Sequence, residues 1–443
     1  MRVIFLTANF PPEVHAPASR TFEHCREWQR CGHEVTVLTC APSHPTGKVQ
    51  GGYRNRLWQR EVVDGMEVIR VWTLLSANRG LFKRSASFLS YFLAAVASIP
   101  FLPKADVVIS TSPQFFCGLA GYFVARAKRA RWVLEIRDLW PESIRGVGAM
   151  SNRLVIGALE TLETWAYRHA DLVVPVTRSM GRHVEACGVP RARIRVVMNG
   201  VDLTRFREPK RDPELARSLG LEGKFVAGYL GTHGMAHPLE TVLEAARRLQ
   251  HDHRIAFLMV GDGAARKRLV RERDRLGLRN VVMLEQQPKQ RMPALWGLCD
   301  AALVLLRRSP VLETALPSKT LEAMAMGRPI IVGASGEASD LVEAAGAGLL
   351  IAPEDPQGLA EAVLQLADNP ALGQAFGQRG RAWVECNHDR RRLAQALLAA
   401  IEEICPPNTP TAAPPREGVG VGRSEAFTKA RSMLRRQRPL GRS

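Results

Sequence analysis

The sequence contains no C-x-x-C pair, no Cys/His cluster at zinc spacing and no G-x-G-x-x-G turn after its first apolar run. Its eight cysteines (Cys25, Cys31, Cys40, Cys117, Cys187, Cys299, Cys386, Cys405) are scattered, which argues against a disulfide framework and makes a metal site unexpected. A reduced, cytoplasmic setting fits that usage. Where a nicotinamide enzyme would carry its glycines, the chain reads Thr7-Ala8-Asn9-Phe10-Pro11-Pro12, which argues against that class. The apolar start, residues 1–6, is too short for a signal peptide and reads as a first strand. An acidic excess is also missing: Lys and Arg outnumber Asp and Glu by 61 to 43, giving a net charge of +18 and a pI near 10.2. This balance favours anionic partners, whether nucleic acid, acidic phospholipid or phosphorylated small substrates. No nucleic-acid recognition motif accompanies it, so no nucleic-acid partner is expected.

What is present is ordinary globular composition, 46% hydrophobic and 23% charged, over 443 residues. At ~150 residues per domain this length predicts two domains plus terminal segments. Short runs rich in Val, Ile and Leu alternate with stretches of helical period. In the first half they cover residues 3–7, 34–39, 68–71, 106–110, 132–136, 172–176 and 194–198. In the second half they cover 225–230, 255–260, 281–284, 301–305, 329–332 and 348–351. Continuous rather than alternating apolar strands indicate sheets buried on both faces, hence two α/β domains with largely parallel sheets. The joint is expected near 202–224. From residue 405 the chain is Pro-rich, with eight Lys/Arg against two Glu, and reads as a disordered basic tail over 405–443. Residues 85–103 form a 19-residue stretch without charge, flanked by Lys83, Arg84 and Lys104. Its length just reaches that of a spanning helix, but spanning would split one sheet across a membrane. A helix packed on the domain or dipping into the bilayer interface is expected instead.

Three segments carry the chemistry. The run 225–230 ends in Gly231-Thr232-His233-Gly234-Met235-Ala236-His237, and the run 255–260 ends in Gly261-Asp262-Gly263, followed by Arg266. Small residues at a strand-to-helix turn let backbone N–H groups approach a phosphate. Two such turns at successive strand ends suit a ligand bound at the carboxyl edge of an open sheet. The third segment runs from Pro317-Ser318-Lys319-Thr320-Leu321-Glu322 to Gly327-Arg328-Pro329. Proline at its start and glycine at its end bound a helix of about ten residues. Its N-terminal amides, with Ser318 and Lys319, form an anion site fit for a diphosphate, and Glu322 lies one turn deeper, placed to accept ribose hydroxyls. In the first half, Arg137-Asp138-Leu139-Trp140-Pro141-Glu142 puts an arginine and two carboxylates at a strand end. Asp138 and Glu142 can orient or deprotonate an acceptor hydroxyl, and Arg20 can meet an anionic acceptor. Glu13 and His15 read as turn residues.

The pattern Pro-Ser-Lys-x-x-Glu-Ala-Met-Ala-x-Gly-x-Pro-Ile-Ile resembles the donor-binding signature of family-4 retaining glycosyltransferases with the GT-B fold. The likeness continues through Phe10-Pro11-Pro12-Glu13, residues 32–39, residues 137–142 and Asn199-Gly200-Val201-Asp202, to about residue 400. It is strongest toward the branch that builds O-antigen, capsule and exopolysaccharide repeat units, including the aminosugar transferases called WbuB-like. The resemblance implies two Rossmann-like domains facing a central cleft: 1–200 for the acceptor, 201–385 for the nucleotide sugar, and a helix over 386–404 crossing back to the first. It implies that Gly231, His233, Gly234, Gly263, Arg266, Ser318, Lys319 and Glu322 surround the donor. Arg20, Arg137, Asp138 and Glu142 would then meet the acceptor, with Asp138, Lys319 and Glu322 catalytic. Two departures stand out. Relatives carry a second glutamate where this chain has Thr314, beside Glu313, and an Arg and a Lys where it has Met235 and His237.

The implied reaction transfers a sugar, commonly UDP-linked, to a polyprenyl-diphosphate-linked or glycan acceptor, without metal or other cofactor. Such acceptors are held in the membrane, so the protein is expected to bind an anionic membrane at the inner face of the plasma membrane. The alternatives are a nucleotide-sugar epimerase of the same fold and a basic nucleic-acid-binding protein.

Overall fold

Most of the apolar runs become strands, and the inner ones are buried on both faces by helices. The computed structural model describes residues 1–13, 16–43, 47–76, 81–112, 115–140, 152–207 and 211–405. The first half holds β1 (Arg2–Leu6), β2 (Glu34–Cys40), β3 (Trp58–Val63), β4 (Met66–Val71), β5 (Val107–Thr111), β6 (Arg131–Ile136) and β7 (Leu172–Pro175) in the order β3-β4-β2-β1-β5-β6-β7. All neighbours are parallel except β3 and β4. The second half holds β8 (Phe225–Leu230), β9 (Ile255–Val260), β10 (Val281–Leu284), β11 (Ala301–Leu305), β12 (Ile330–Gly333) and β13 (Gly348–Leu350). Their order is β10-β9-β8-β11-β12-β13, parallel throughout. The order reverses beside β1 and beside β8, and such a reversal opens a crevice at the carboxyl ends of the strands.

The strands differ from the expectation in two places. The strand β3 was not anticipated: Trp-Gln-Arg-Glu-Val-Val is an edge strand with much of its surface in water. Residues 194–198 do not form an eighth strand. They run beside β7 with one isolated bridge, Val173 to Ile194, and two hydrogen bonds, Arg195 N to Val173 O and Val197 N to Pro175 O, both 3.0 Å. The carbonyls of Val197 and Met198 turn instead to the Arg20 guanidinium. In the stretch 202–224, where the joint is expected, Phe206, Ala216 and Leu221 are buried in the core of the second half.

Chain crossings between the halves lie side by side. Val201 N donates to His388 O at 2.9 Å, and Val201 pairs with Asp389. Beyond that point the helix Arg390–Ile404 packs on the first half, not on the second that precedes it. Leu397, Leu398, Ala400 and Ile401 enter a core with Val3, Phe5, Phe10 and Trp28. The Trp28 indole N–H donates to Ala394 O at 2.8 Å. Residues 406–443, most of the expected basic tail, lie outside the described residues.

The uncharged stretch 85–103 forms most of the helix Leu81–Ala97 and the short turn Ile99–Phe101. One face is core: Tyr91 is buried and its hydroxyl donates to Leu38 O at 2.8 Å, while Phe92 meets Phe116 and Phe123 edge-on. The other face leaves Leu89 and Leu93 in water. Among the described residues no helix is long and apolar enough to cross a membrane.

If the closing helix completes the first core, Ile401→Ala should destabilise the protein by about 2–5 kcal/mol, the usual cost of an aliphatic deletion at a buried site. A urea titration followed by tryptophan fluorescence reads the midpoint; an unmoved midpoint would mean that the helix is a dispensable appendage.

Candidate functional site

Two turns at the carboxyl ends of β8 and β9 touch backbone to backbone. Gly231 N donates to Val260 O, His233 N to Asp262 O, and Ala265 N to His233 O, each at 2.9 Å. Gly261 and Gly263 have φ of 148° and 154°, and a Cβ at either would come within 1.9 Å of Gly231 O or 2.5 Å of His233 O. Only glycine serves at these two positions, so the pairing of the turns is written into the chain. Gly234 lies in an ordinary turn, its carbonyl accepting from His237 N. Arg266 is partly spent as a brace, donating to Gly261 O and Leu284 O.

The helix Ser318–Ala325 begins beside these turns, between β11 and β12. Pro317 stands at its N-cap, and no side chain among the described residues caps it. The Lys319 side chain runs toward the first turn: a Cβ on Gly231 would sit 3.0 Å from its Cε and Nζ. Its ammonium is buried without a hydrogen-bond partner among the described residues and lies 3.6 Å from the centre of the Tyr229 ring. Burial lowers the Lys319 pKa to about 7, with Glu322 pulling the other way. The His233 ring is buried with both nitrogens unpartnered, and His237 has Nδ1 2.9 Å from Leu305 O. Burial holds the two at about 4 and about 3, with nearby cations adding to the effect, so both are neutral near pH 7.

Glu322 lies one turn into the same helix. Burial raises its pKa, opposed by Lys289, Arg390, the Trp296 indole and Lys319. The first two belong to a junction between the halves: Lys289 Nζ donates to Ser19 Oγ at 2.7 Å and lies 3.6 Å from Glu23, which also pairs with Arg390. Glu23, Lys289 and Arg390 escaped the sequence reading because they stand hundreds of residues apart and carry no local motif. A second link crosses nearby: Glu337 Oε1 accepts from both N and Oγ of Ser179 at 2.6 Å.

On the other side, Arg20 is not available to an acceptor. Its Nε donates to Glu135 Oε1 at 2.8 Å, Nη1 to Met198 O at 2.8 Å and Nη2 to Val197 O at 3.0 Å, all in the interior. Glu135 also accepts from Thr111 Oγ1 at 2.7 Å. Arg20 is therefore a strut between the first helix, β6 and the 197–198 strap. Arg137 is less committed, reaching Pro17 O at 3.4 Å, and burial lowers its pKa to about 10. Asp138 opens to water yet is ringed by protein, and desolvation lifts its carboxyl to about 6 against the pull of Arg137. Glu142 and His15 lie outside the described residues. Glu13 accepts from Ser43 N at 2.9 Å, a turn contact. The structure thus gathers Gly231, His233, Gly263, Arg266, Ser318, Lys319 and Glu322 at one sheet edge, with Arg137 and Asp138 at the other sheet. Among the described residues no His, Cys, Asp and Glu group is arranged to hold a metal.

Residues 16–200 match the glycosyl transferase 4-like domain, and residues 212–383 match the glycosyl transferases group 1 domain. The chain is 27% identical over 380 residues to the putative colanic acid biosynthesis glycosyl transferase WcaI of Escherichia coli, covering 82% of this chain and 92% of that protein. Its fold is similar to sucrose-phosphate synthase of Thermosynechococcus elongatus, with a TM-score of 0.73 at 16% identity over 91% of this chain and 98% of the other. It is similar also to Anabaena Alr3699/HepE in complex with UDP and glucose, with a TM-score of 0.68 at 16% identity over 91% of this chain and all of the other.

Arg20→Ala should cost about 3–5 kcal/mol, since it leaves the buried Glu135 carboxylate uncompensated. Glu135 is held below the ordinary carboxylate range in the fold, its burial outweighed by Arg20, Arg137 and Thr111. Its contribution is complete above the unfolded value of about 4.3 and lost as pH falls through the lower folded value. Parent and variant unfolding curves should therefore converge on acidification; a constant gap down to strongly acidic pH would refute the strut.

Proposed function

The chain belongs to the GT-B glycosyltransferases that join a glycosyl transferase 4-like domain to a group 1 domain, and on that premise we propose that it moves a sugar from a UDP-sugar to a lipid-linked or glycan acceptor in bacterial surface-polysaccharide synthesis. The observation that carries the donor reading is the Lys319 ammonium, buried and unpartnered at an uncapped helix start beside two glycine turns. A diphosphate supplies what that ammonium and those amides lack. The likeness to WcaI supports the polysaccharide setting, and the UDP and glucose held by HepE support a UDP-linked sugar.

In this reading the diphosphate lies across the Ser318 and Lys319 amides, with Glu322 accepting the ribose hydroxyls. As the bond to the sugar breaks, negative charge grows on the leaving diphosphate, and Lys319 and the fixed amide dipoles stabilise it. The acceptor hydroxyl attacks from the face the diphosphate leaves, giving retention, and a diphosphate oxygen accepts its proton. Asp138, ionised above about 6, is the second base within the acceptor side. Neither a metal nor a cofactor is required.

The same reading places the protein on the cytoplasmic face of the plasma membrane, where a polyprenyl-diphosphate-linked acceptor would lie. Leu89 and Leu93, exposed on a helix whose other face is core, give the apolar contact. Lys83 and Lys104 add about 1 kcal/mol each near an anionic surface. Apolar and basic attachment together are what peripheral binding needs.

Incubation with a panel of nucleotide sugars and acceptors, followed by product analysis, tests the assignment. Transfer with Glu322→Ala should show donor binding weaker by ~1–3 kcal/mol, the range for hydrogen bonds to a charged group. Conversion of the donor without any acceptor would instead mean epimerisation. Because an adjacent diphosphate favours the charged form of Lys319, donor binding just above neutral pH should take up protons and weaken as pH rises. Calorimetry in two buffers of different ionisation enthalpy reads that uptake; none would remove Lys319 from the diphosphate. For the membrane, Leu89→Ser with Leu93→Ser should reduce co-sedimentation with anionic liposomes, and added salt should reduce it further. Equal sedimentation of variant and parent would end the membrane reading.

A further inference from the structure

Lys319 presents an unusual problem: a buried ammonium that no carboxylate neutralises by direct contact. The face of the Tyr229 ring lies against its charge, with the ring centre 3.6 Å from Nζ. Tyr229 is fully buried on β8, and its hydroxyl donates to Thr232 O at 2.8 Å inside the glycine turn. Its ring also meets His233 and His237, with centroids 5.9 and 5.8 Å away. One side chain therefore touches the lysine, both turn histidines and the backbone of the turn.

We propose that Tyr229 is a positioning residue for the transfer reaction: its ring face seats the Lys319 ammonium in charged form, aimed at the glycine turn, with its N–H donors left for the diphosphate. The inference rests on the donor reading above and deepens it. An aromatic face attracts a cation through its quadrupole without accepting strong hydrogen bonds, and the attraction is largest where water is excluded. A carboxylate in the same place would hold the charge as well, but the diphosphate would then have to displace it. The groups facing Lys319 leave the ring this role. Glu322, on the same helix, favours the charged form through space. His233 and His237, from the β8 turn, are neutral, and Arg266 from the second turn is turned to carbonyls. The tyrosine hydroxyl does separate work, tying the turn to its strand, so the two halves of this side chain can be tested apart.

The test compares the parent with Tyr229→Phe, Tyr229→Leu and Lys319→Ala in the full chain. The first readout is kcat/KM for the nucleotide sugar from about pH 5.5 to 9, which reports ionisations of the free enzyme. Activity should fall as Lys319 loses its proton. Tyr229→Leu removes the ring, so that alkaline limb should move down by about one pH unit, with kcat/KM roughly tenfold lower at neutral pH. Tyr229→Phe keeps the ring and should hold the limb in place. Titration of lysine ε-methylene signals by NMR, without donor, should show the same displacement of one lysine resonance in the Leu variant alone. If Tyr229→Leu does not fold, graded fluorination of phenylalanine at position 229 weakens the ring quadrupole at constant shape, and the limb should descend stepwise with it. A limb that stays fixed in Tyr229→Leu or across the fluorinated series, while Lys319→Ala abolishes transfer, overturns the inference and leaves the donor reading standing. Full activity in Lys319→Ala overturns both.

Discussion

A positive charge kept out of water without a counter-ion is costly, and the donor side of this protein is organised around one. Burial brings the Lys319 pKa down to about 7, and what charge it keeps at neutral pH is supported by a ring face and a carboxylate one turn away, beside two histidines that remain uncharged. The ring and the histidines come from β8 and the turn after it, and the carboxylate from the helix that carries Lys319 itself. Tyr229 is fixed by its bond to the turn, the turn is fixed by its contact with a second turn, and that contact exists because Gly261 and Gly263 lack the Cβ that would lie 1.9 and 2.5 Å from the facing carbonyl oxygens. Rigidity here is the product of backbone packing, and the chemistry is that of a cation waiting for an anion.

The two halves are joined by charge rather than by grease near this site. Ser19 and Glu23 meet Lys289 and Arg390, and Ser179 meets Glu337. Lys289 also feels Glu322, so the residue assigned to the ribose shares its field with the contact that holds the halves together. Glu322 and the polar junction between the halves are thus electrostatically linked.

Much of this was legible in the sequence, and what was hidden was hidden for identifiable reasons. The six strands of the second half stand out because each is an unbroken apolar run, three of them closed by small residues, and the Pro317–Gly327 helix because its start, stop and charges fit within a dozen positions. The strand β3 was invisible since an edge strand with Arg60 and Glu61 in it has no apolar run to show. Arg20 was misread because nothing local reveals that Glu135, 115 positions away, lies against it. Tyr229 passed as one more core residue of β8, as a ring's two functions look alike until the groups above and beside it are known. Local signals survive in sequence; partners brought together by topology do not.

The helix Arg390–Ile404 completes the core of the half made first, which has a consequence for synthesis. When residues 1–200 leave the ribosome, the surface that Leu397, Leu398 and Ile401 will cover is bare, and the Trp28 indole N–H lacks Ala394 O. The entire second half must be translated before the gap closes, on the order of ten to forty seconds at ~5–20 residues per second. Throughout that interval the nascent chain carries an apolar strip with no intramolecular cover, so chaperone occupancy should peak while the second half is being made and end when the last helix docks. The first core is sealed only after the whole second half has been made, so a ribosome stall or premature stop between residues 200 and 404 leaves that core uncovered as well as truncating the second half.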